Sequence, residues 1–360
     1  MIFLRAAQRE FAHTAAGVFV ALFAILISTV LIRLLGQAAG GRLASDVVLA
    51  MIGFGSIAQL PIVLTLTLFI AVLTTLSRSY RDSEMVVWFA SGLPLTAWVR
   101  PVMRFALPLV VVIAGTTLVV APWAQLKTVE FRERSNNRDD AARVAPGVFR
   151  ESAGGQRVFF VETGAGEDGR VKNVFVSTMQ HGRLGVMVSK EGFLRTDGDG
   201  ARFVVLEKGR RYEGKPGTPD SRVMEFESYA VRIRSPETAE LPQKPRMLSV
   251  AQLMSEPLPA YHSELAARIG TPVAALLLAL LAIPMSFVNP RAGRTNNLIA
   301  AILVYLIYTN TLSICQAWIK AGKIGFATGL WAPHAAMVVL LLVLFGRRLS
   351  LLRIWRSRAS

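Results

Sequence analysis

The chain has 360 residues, of which 52% are apolar, and its mean hydropathy of +0.44 excludes an ordinary soluble protein and indicates a membrane protein with several spans. It carries 40 Lys and Arg against 24 Asp and Glu, but residues 125–262 hold 22 of these bases and 19 of these acids. The basic excess therefore lies in the apolar remainder of the chain. There it indicates membrane topology and contact with anionic lipid rather than binding of nucleic acid. The single cysteine, Cys315, excludes an intramolecular disulfide and a Cys-rich metal site.

Residues 1–124 contain three apolar segments that are long enough to cross a bilayer. The first runs from Phe11 to Leu35, which exceeds the roughly 7–15 apolar residues of a signal peptide, so we expect an uncleaved span with Arg33 near its far end. The second lies within Val47 to Leu76, and the third runs from about Val99 to Pro122.

A short amphipathic helix is predicted at residues 82–92, between the second and third spans. Asp82 or Ser83 can cap its N-terminus, Glu84 lies in its first turn, and Gly92 can take the left-handed position at its end. Its length of about 13 Å is far too short to cross a membrane. One face carries three apolar side chains at helical spacing: Met85, Trp88 and Phe89.

Residues 125–262 differ in character, because charged residues are frequent and glycines recur. Short runs such as Arg157 to Glu162 and Arg202 to Leu206 alternate between apolar and polar residues, and Gly- and Asp-rich pieces separate them. Such runs predict antiparallel β structure. We therefore expect a β-sandwich or half-open jelly roll inserted between membrane spans, followed by a Pro-rich linker from Leu241 to Pro259.

Residues 263–360 return to apolar segments. Spans are expected at about Leu265 to Val288, Leu298 to Trp318 and Trp331 to Phe345, and a polar loop with Arg291 and Arg294 separates the first two. The predicted fold class is thus an α-helical polytopic membrane protein, with six transmembrane helices in a 3+3 arrangement around an inserted antiparallel β domain.

The arginines orient these spans. With the N-terminus inside, the cytoplasmic segments and tail hold 13 arginines, whereas the short outer loops hold four cations: Arg33, Arg42, Lys320 and Lys323. Because cytoplasmic loops carry the excess of Lys and Arg, this orientation is favoured, and it places the β domain outside and the helix at residues 82–92 in the cytoplasm.

The sequence offers no convincing catalytic or nucleotide site. The stretch from Gly209 to Pro216 resembles a P-loop by spacing, but it lacks the Ser or Thr that would hold Mg²⁺ and is better interpreted as a charged turn. No metalloprotease or nucleophile-elbow pattern occurs. Glu264 and Arg268 stand four residues apart, and we interpret them as a structural pair. If the chain is a pump, its energy must come from another protein.

Several cations remain open to two interpretations. Arg33, Lys320 and Lys323 stand at the predicted outer ends of spans one and five, where they either anchor the helices at the interface or bind anionic headgroups. Arg291 and Arg294 form either a plain basic turn or a brace for a partner or a neighbouring helix.

Two stretches match a known family of membrane proteins. They are Asp82-Ser83-Glu84-Met85 with Ala90-Ser91-Gly92-Leu93, and the segment from Pro284 to Arg294. On these pieces, and in its whole plan, the chain resembles the LptF/LptG family, the permease subunits of the lipopolysaccharide export transporter of Gram-negative bacteria. Arg33-Leu34-Leu35-Gly36 resembles the LptF branch more than the LptG branch.

The resemblance implies the permease half of an ABC transporter, without enzyme activity or a cofactor of its own, that extracts lipopolysaccharide from the bacterial inner membrane and passes it to a periplasmic bridge. The implied partners are an LptG-like permease, two LptB-like ATPase subunits, an LptC-like single-span protein and an LptA-like bridge protein. The β domain would be a periplasmic jelly roll that pairs edge to edge with the bridge.

The resemblance also implies roles for particular residues. Residues 82–92 would be the coupling helix, in which Glu84 makes a polar contact with the ATPase, while the apolar residues named above bury against the ATPase or the membrane-side helices. Spans one and five would line a gate, which makes Arg33 and Lys320, with Lys323 beside it, candidates for the phosphates of lipopolysaccharide. The competing hypotheses are a membrane-anchored assembly scaffold, whose β domain is the working part, and a membrane enzyme.

Overall fold

A computed structural model describes residues 2–39, 48–142, 150–151, 157–163, 170–180, 183–196, 202–214, 221–233, 244–287 and 295–358. The chain divides into two compact units. The first comprises residues 1–32, 52–127 and 243–360, and the second comprises residues 33–51 and 128–242.

Nine α-helices occur in the described part of the chain: α1 (Ile2–Ala39), α2 (Val48–Arg81), α3 (Glu84–Ala90), α4 (Val99–Gly115), α5 (Ala121–Ala142), α6 (Val250–Ser255), α7 (Pro259–Met285), α8 (Thr295–Lys320) and α9 (Phe326–Arg358). Six helical segments are long and apolar enough to cross a membrane, as predicted: α1, α2, the continuous stretch Leu95–Arg132, α7, α8 and α9. Within Leu95–Arg132 a π-helical turn, Thr116–Val120, joins α4 to α5.

The core of the first unit surrounds α7. Side chains of α7 such as Leu278 and Leu281 are fully buried and belong to one cluster with Leu68 of α2, Val102 of α4 and Tyr308 of α8. In the apolar 18-residue stretch that defines each span, 61% of α7 is buried, against 11% of α1 and 17% of α8. The apolar surfaces of α1 and α8 are therefore largely left to lipid or to other proteins.

The second unit contains the described strands, β1 (Arg150–Glu151), β2 (Arg157–Thr163), β3 (Arg170–Gln180), β4 (Arg183–Thr196), β5 (Arg202–Gly214) and β6 (Ser221–Ile233). They form one antiparallel sheet in sequential order. The predicted antiparallel β structure is thus confirmed. Among these strands it is built as a single meander sheet rather than as two stacked sheets, because each long strand pairs with the next along the chain.

A row of unpaired positions crosses this sheet. Glu162, Asn173, Lys190, Lys208 and Glu227 stand opposite one another in register, yet no ladder pair joins them, while the residues on both sides are paired. Two of them, Asn173 and Lys208, have positive φ angles of 49° and 53°. This interrupted row divides the sheet into two halves.

The small core of the second unit draws on both halves. Val174, Val176, Met187 and Phe226 come from one side of the interrupted row, and Leu206 comes from the other. The rings of Phe226 and Tyr229 lie 5.3 Å apart across the row. A Cβ added at Gly192 would lie 3.2 Å from Val174, which belongs to the opposite half. The sheet therefore bends along the row and encloses apolar side chains that a sandwich would hold between two sheets.

Candidate functional site

The predicted amphipathic helix is present as α3, and its N-terminus is built differently from the expectation. Ser83 occupies the N-cap position with φ 60°, and its side chain makes no capping hydrogen bond. The carboxylate of Asp82 instead lies 3.4 Å from Nε of Arg81 and 4.0 Å from Nε of Arg78. The expected side-chain cap at Ser83 is therefore wrong, because the left-handed turn directs this segment into ion pairs with the end of α2.

The C-terminus of α3 agrees with the prediction. Gly92 has φ 88°, which is the left-handed conformation that glycine adopts at low cost. Its N–H donates to the Phe89 carbonyl at 3.1 Å, and the N–H of Leu93 donates to the Trp88 carbonyl at 3.1 Å. This pair of bonds is a Schellman motif, which ends the helix sharply.

The apolar face of α3 is directed to the membrane helices of the same chain. Met85 is 1% exposed and belongs to the main core cluster, and Trp88 and Phe89 are partly buried against it. The ring of Phe89 lies 6.2 Å from that of Tyr80, at the end of α2. The three apolar residues singled out in the sequence therefore hold α3 on the bundle, which was one of the two expected placements.

The opposite face of α3 is exposed and partly apolar. Glu84 and Ala90 are exposed, and the exposed fractions of Val86 and Val87 are 60% and 67%. Two valines exposed side by side on a helix that is too short to span a membrane indicate a surface that another protein can cover. We call Glu84, Val86, Val87 and Ala90 the free face of α3.

Polar contacts fix the helices that surround α3. An ion pair joins Arg78, near the end of α2, to Glu10 of α1. The side-chain amide of Gln8, also on α1, donates to the Pro101 carbonyl of α4 at 2.7 Å. These contacts connect the ends of three spans on the side where α3 lies, so a force applied to α3 meets a braced group of helices.

The predicted cations are exposed. Arg33 lies on α1, in the second unit, whereas Lys320 ends α8 and Lys323 lies in the turn after it, both in the first unit. Among the described residues none of the three forms an ion pair. They are thus available to an anion from outside the chain. Arg291 and Arg294 lie outside the described residues.

The expected pair of Glu264 and Arg268 is present and is larger than the sequence indicated. Arg268 is 2% exposed, and its Nε donates to Glu264 at 2.9 Å. Its Nη1 donates to the Leu248 carbonyl at 2.8 Å, and its Nη2 donates to the carbonyls of Pro245 and Arg246 at 3.2 Å each. One guanidinium therefore holds the segment that returns from the β domain against α7.

A second buried polar contact joins α8 to α9, and it was not predicted from the sequence. The hydroxyl of Tyr308 is hydrogen-bonded to Nδ1 of His334, and these residues are 1% and 3% exposed. Nε2 of His334 has no hydrogen-bond partner among the described residues. Polar residues inside spans are costly, which is the signal that singles out this pair in the sequence.

No group of three His, Cys, Asp or Glu side chains in the described residues is placed to hold a metal ion. The arrangement offers instead a short helix, α3, with an exposed face, exposed cations near the ends of spans, and a buried arginine, Arg268, that binds three carbonyls.

Comparison with known proteins gives consistent matches. The model of the family described as "Lipopolysaccharide export system permease LptF/LptG" matches residues 5–347. The chain is 28% identical over 347 residues to the lipopolysaccharide export system permease protein LptF of Escherichia coli K12, which covers 96% of this chain and 94% of that protein. The proteins of the same name from Escherichia coli O157:H7 and Shigella flexneri match with the same identity and coverage.

Proposed function

Because the chain belongs to the lipopolysaccharide export permease family LptF/LptG, we propose that it is the LptF-type half of a transporter that extracts lipopolysaccharide from the inner membrane and passes it to a periplasmic bridge. It is a membrane subunit of a permease and not an enzyme by family. The LptF proteins of Escherichia coli and Shigella flexneri match almost its whole length, and this favours the LptF type over the LptG type.

The free face of α3 is the proposed contact through which a separate ATPase drives this chain. Met85 is used internally, whereas Glu84, Val86 and Val87 are exposed. One of the two LptB-like ATPase subunits would cover the two valines of this face and accept Glu84 as a charged contact. Movement of the ATPase then enters the chain through the packing of Met85 and Phe89 on the ends of the spans.

The partly uncovered spans support a partner permease. The apolar stretches of α1 and α8 are 11% and 17% buried, which are the lowest values among the six candidate spans. An LptG-like half and the single span of an LptC-like protein would pack against these helices. Lipopolysaccharide would enter beside these helices. Arg33 on α1, and separately Lys320 with Lys323 beside it, are the exposed cations proposed to contact its phosphates, and a guanidinium does so with two parallel hydrogen bonds.

The β domain provides the exit in this proposal. Within the described sheet β6 pairs with β5 alone, so its 13 residues offer an edge. An LptA-like bridge protein would extend the sheet at an edge by strand pairing. This requires the orientation that the arginines favour, with the N-terminus in the cytoplasm and the β domain in the periplasm.

The test is site-directed photocrosslinking in membranes that contain the assembled transporter. A photoreactive residue at position 87 is expected to capture the ATPase subunit, because Val87 is on the free face. The matched control is position 85, whose side chain is buried and is expected to capture none. Capture of the ATPase from neither position 87 nor position 86 would refute the proposed energy input and would favour a scaffold that is not driven by ATP.

A further inference from the structure

A groove lies between three spans, close to the end of α7. It encloses about 270 Å³ and is lined by Pro284 of α7, Val304 of α8, and Leu340, Leu344 and Arg348 of α9. Apart from Arg348 its lining is apolar. Leu340 and Arg348 are eight residues apart on one helix, so the groove extends for about 12 Å from its charged end.

Arg348 is held at the rim of this groove by an aromatic ring. Its Cζ lies 4.1 Å from the centroid of Phe287, which follows α7. Phe287 in turn makes an edge contact with Tyr80, with ring centroids 5.4 Å apart. Stacking on a ring face orients a guanidinium while leaving its N–H groups available to an acceptor.

The chain itself offers few anions to balance this arginine. No Asp or Glu occurs in residues 265–360, which contain ten Lys and Arg. Near the braced ends of α1 and α2, Glu10 pairs with Arg78, and Asp82 lies beside Arg78 and Arg81. In the described residues no carboxylate forms an ion pair with Arg348. The guanidinium of Arg348 is therefore open to an acceptor from outside the chain.

We propose that this groove binds an anionic glycerophospholipid of the inner leaflet, with one acyl chain in the apolar part and the phosphate on Arg348, next to Arg347. The proposal rests on the orientation given under the proposed function, which puts this end of α9 at the cytoplasmic surface. Basic pockets between helices on that side of a membrane are suited to anionic headgroups. The apolar lining selects a lipid over free phosphate, because a free ion leaves the groove unfilled.

The position of the groove separates it from the cations assigned to the cargo. Ala300 lines the groove, and Lys320 lies 20 residues further along α8, about 30 Å away at the rise of an α-helix. This is the thickness of the hydrocarbon core. The groove and Lys320 therefore belong to opposite leaflets.

The experiment uses the purified, full transporter complex in liposomes without lipopolysaccharide. The liposomes contain a phosphatidylglycerol with a photoactivatable group in one acyl chain, and mass spectrometry locates the adducts. We expect adducts on α8 and α9 beside the groove. The Val304→Trp variant fills the groove and is expected to lower labelling there roughly tenfold, whereas Leu303→Trp, on the exposed side of the same helix, leaves it unchanged.

The headgroup is tested separately. Arg348→Gln is expected to lower labelling by phosphatidylglycerol roughly tenfold, to the level given by a phosphatidylcholine probe with the same chain. Arg104→Gln removes an exposed arginine of α4 and is the matched control. Equal labelling of wild type and Val304→Trp, or equal labelling by the two headgroups, would overturn the proposal.

A third arm distinguishes the two sources of an acylated phosphate. Added lipopolysaccharide is expected to leave labelling unchanged, and loss of labelling would show that the groove belongs to the path of the cargo and would overturn the proposal. The labelling needs no ATP. Its failure is therefore distinct from a failure of ATPase capture at position 87, which tests the proposed function.

Discussion

Replacing Arg268 by alanine is expected to release the segment that returns from the β domain. The guanidinium is 2% exposed and donates to Glu264 and to three main-chain carbonyls, of Pro245, Arg246 and Leu248. Its removal leaves a carboxylate and three carbonyls without their donor in a largely enclosed place. Breaking a buried pair in this way costs about 3–5 kcal/mol.

The cost should appear locally, because the bonds of Arg268 are to one segment. Each 1.4 kcal/mol is a factor of ten, so opening of residues 245–255 should become roughly 100- to 4,000-fold more frequent. Hydrogen exchange of the intact complex, followed by mass spectrometry, measures this opening. The amide of Leu253, which donates to the Ser249 carbonyl at 3.0 Å in α6, is a suitable reporter.

Two further variants serve as controls for Arg268→Ala. Arg246→Ala removes an exposed side chain of the same segment, whose carbonyl alone contacts Arg268, and should leave exchange unchanged. Arg268→Lys keeps the charge without the planar fork and should give an intermediate rate. If Arg268→Ala exchanged like wild type at residues 245–255, the contacts of Arg268 would have no energetic role, and the reasoning from their geometry would be refuted.

Three further substitutions test the fold. Gly92→Ala should cost about 1–2 kcal/mol in thermal unfolding because its φ is 88° with open space around it, whereas Gly115→Ala, in helical backbone with equally open space, should be stabilising; equal effects would contradict the assignment. Gly209→Ala would place a methyl group 2.5 Å from an aromatic ring of β6, so the β domain should lose protease resistance, and unchanged resistance would count against this packing. Tyr308→Phe should cost about 1–3 kcal/mol by leaving the buried His334 unpaired, and adding His334→Leu should recover most of it; additive losses would show that the two side chains do not interact.

Apolar length and periodicity were sufficient to predict the architecture. Runs of about 20 apolar residues have few alternatives to spanning helices, and alternating runs between turn signals have few alternatives to antiparallel strands. The left-handed end of α3 was predictable for a similar reason, since glycine followed by a proline two residues later ends a helix by local chemistry alone.

The contacts between residues that are distant in the chain could not be predicted from the sequence. The spacing of Met85, Trp88 and Phe89 defined one face of a helix, but it did not reveal whether an ATPase or the chain's own spans would cover that face. Arg268 could be paired with Glu264 by its spacing, but its three carbonyl partners lie 20 or more residues away. The positive φ angles that bend the sheet fall on Asn173 and Lys208, and a lysine carries no turn signal.

The central claim is that ATP-driven motion enters through the free face of α3 and acts on lipopolysaccharide between the spans. The most direct measurement is photocrosslinking from position 33 in membranes that contain the assembled complex, with and without ATP turnover. We predict capture of lipopolysaccharide that requires turnover and that is lost in Glu84→Arg, while Thr96→Arg, which places the same charge at an exposed site after α3, retains it. Absence of any lipid adduct, or the same capture in Glu84→Arg as in wild type, would contradict the account.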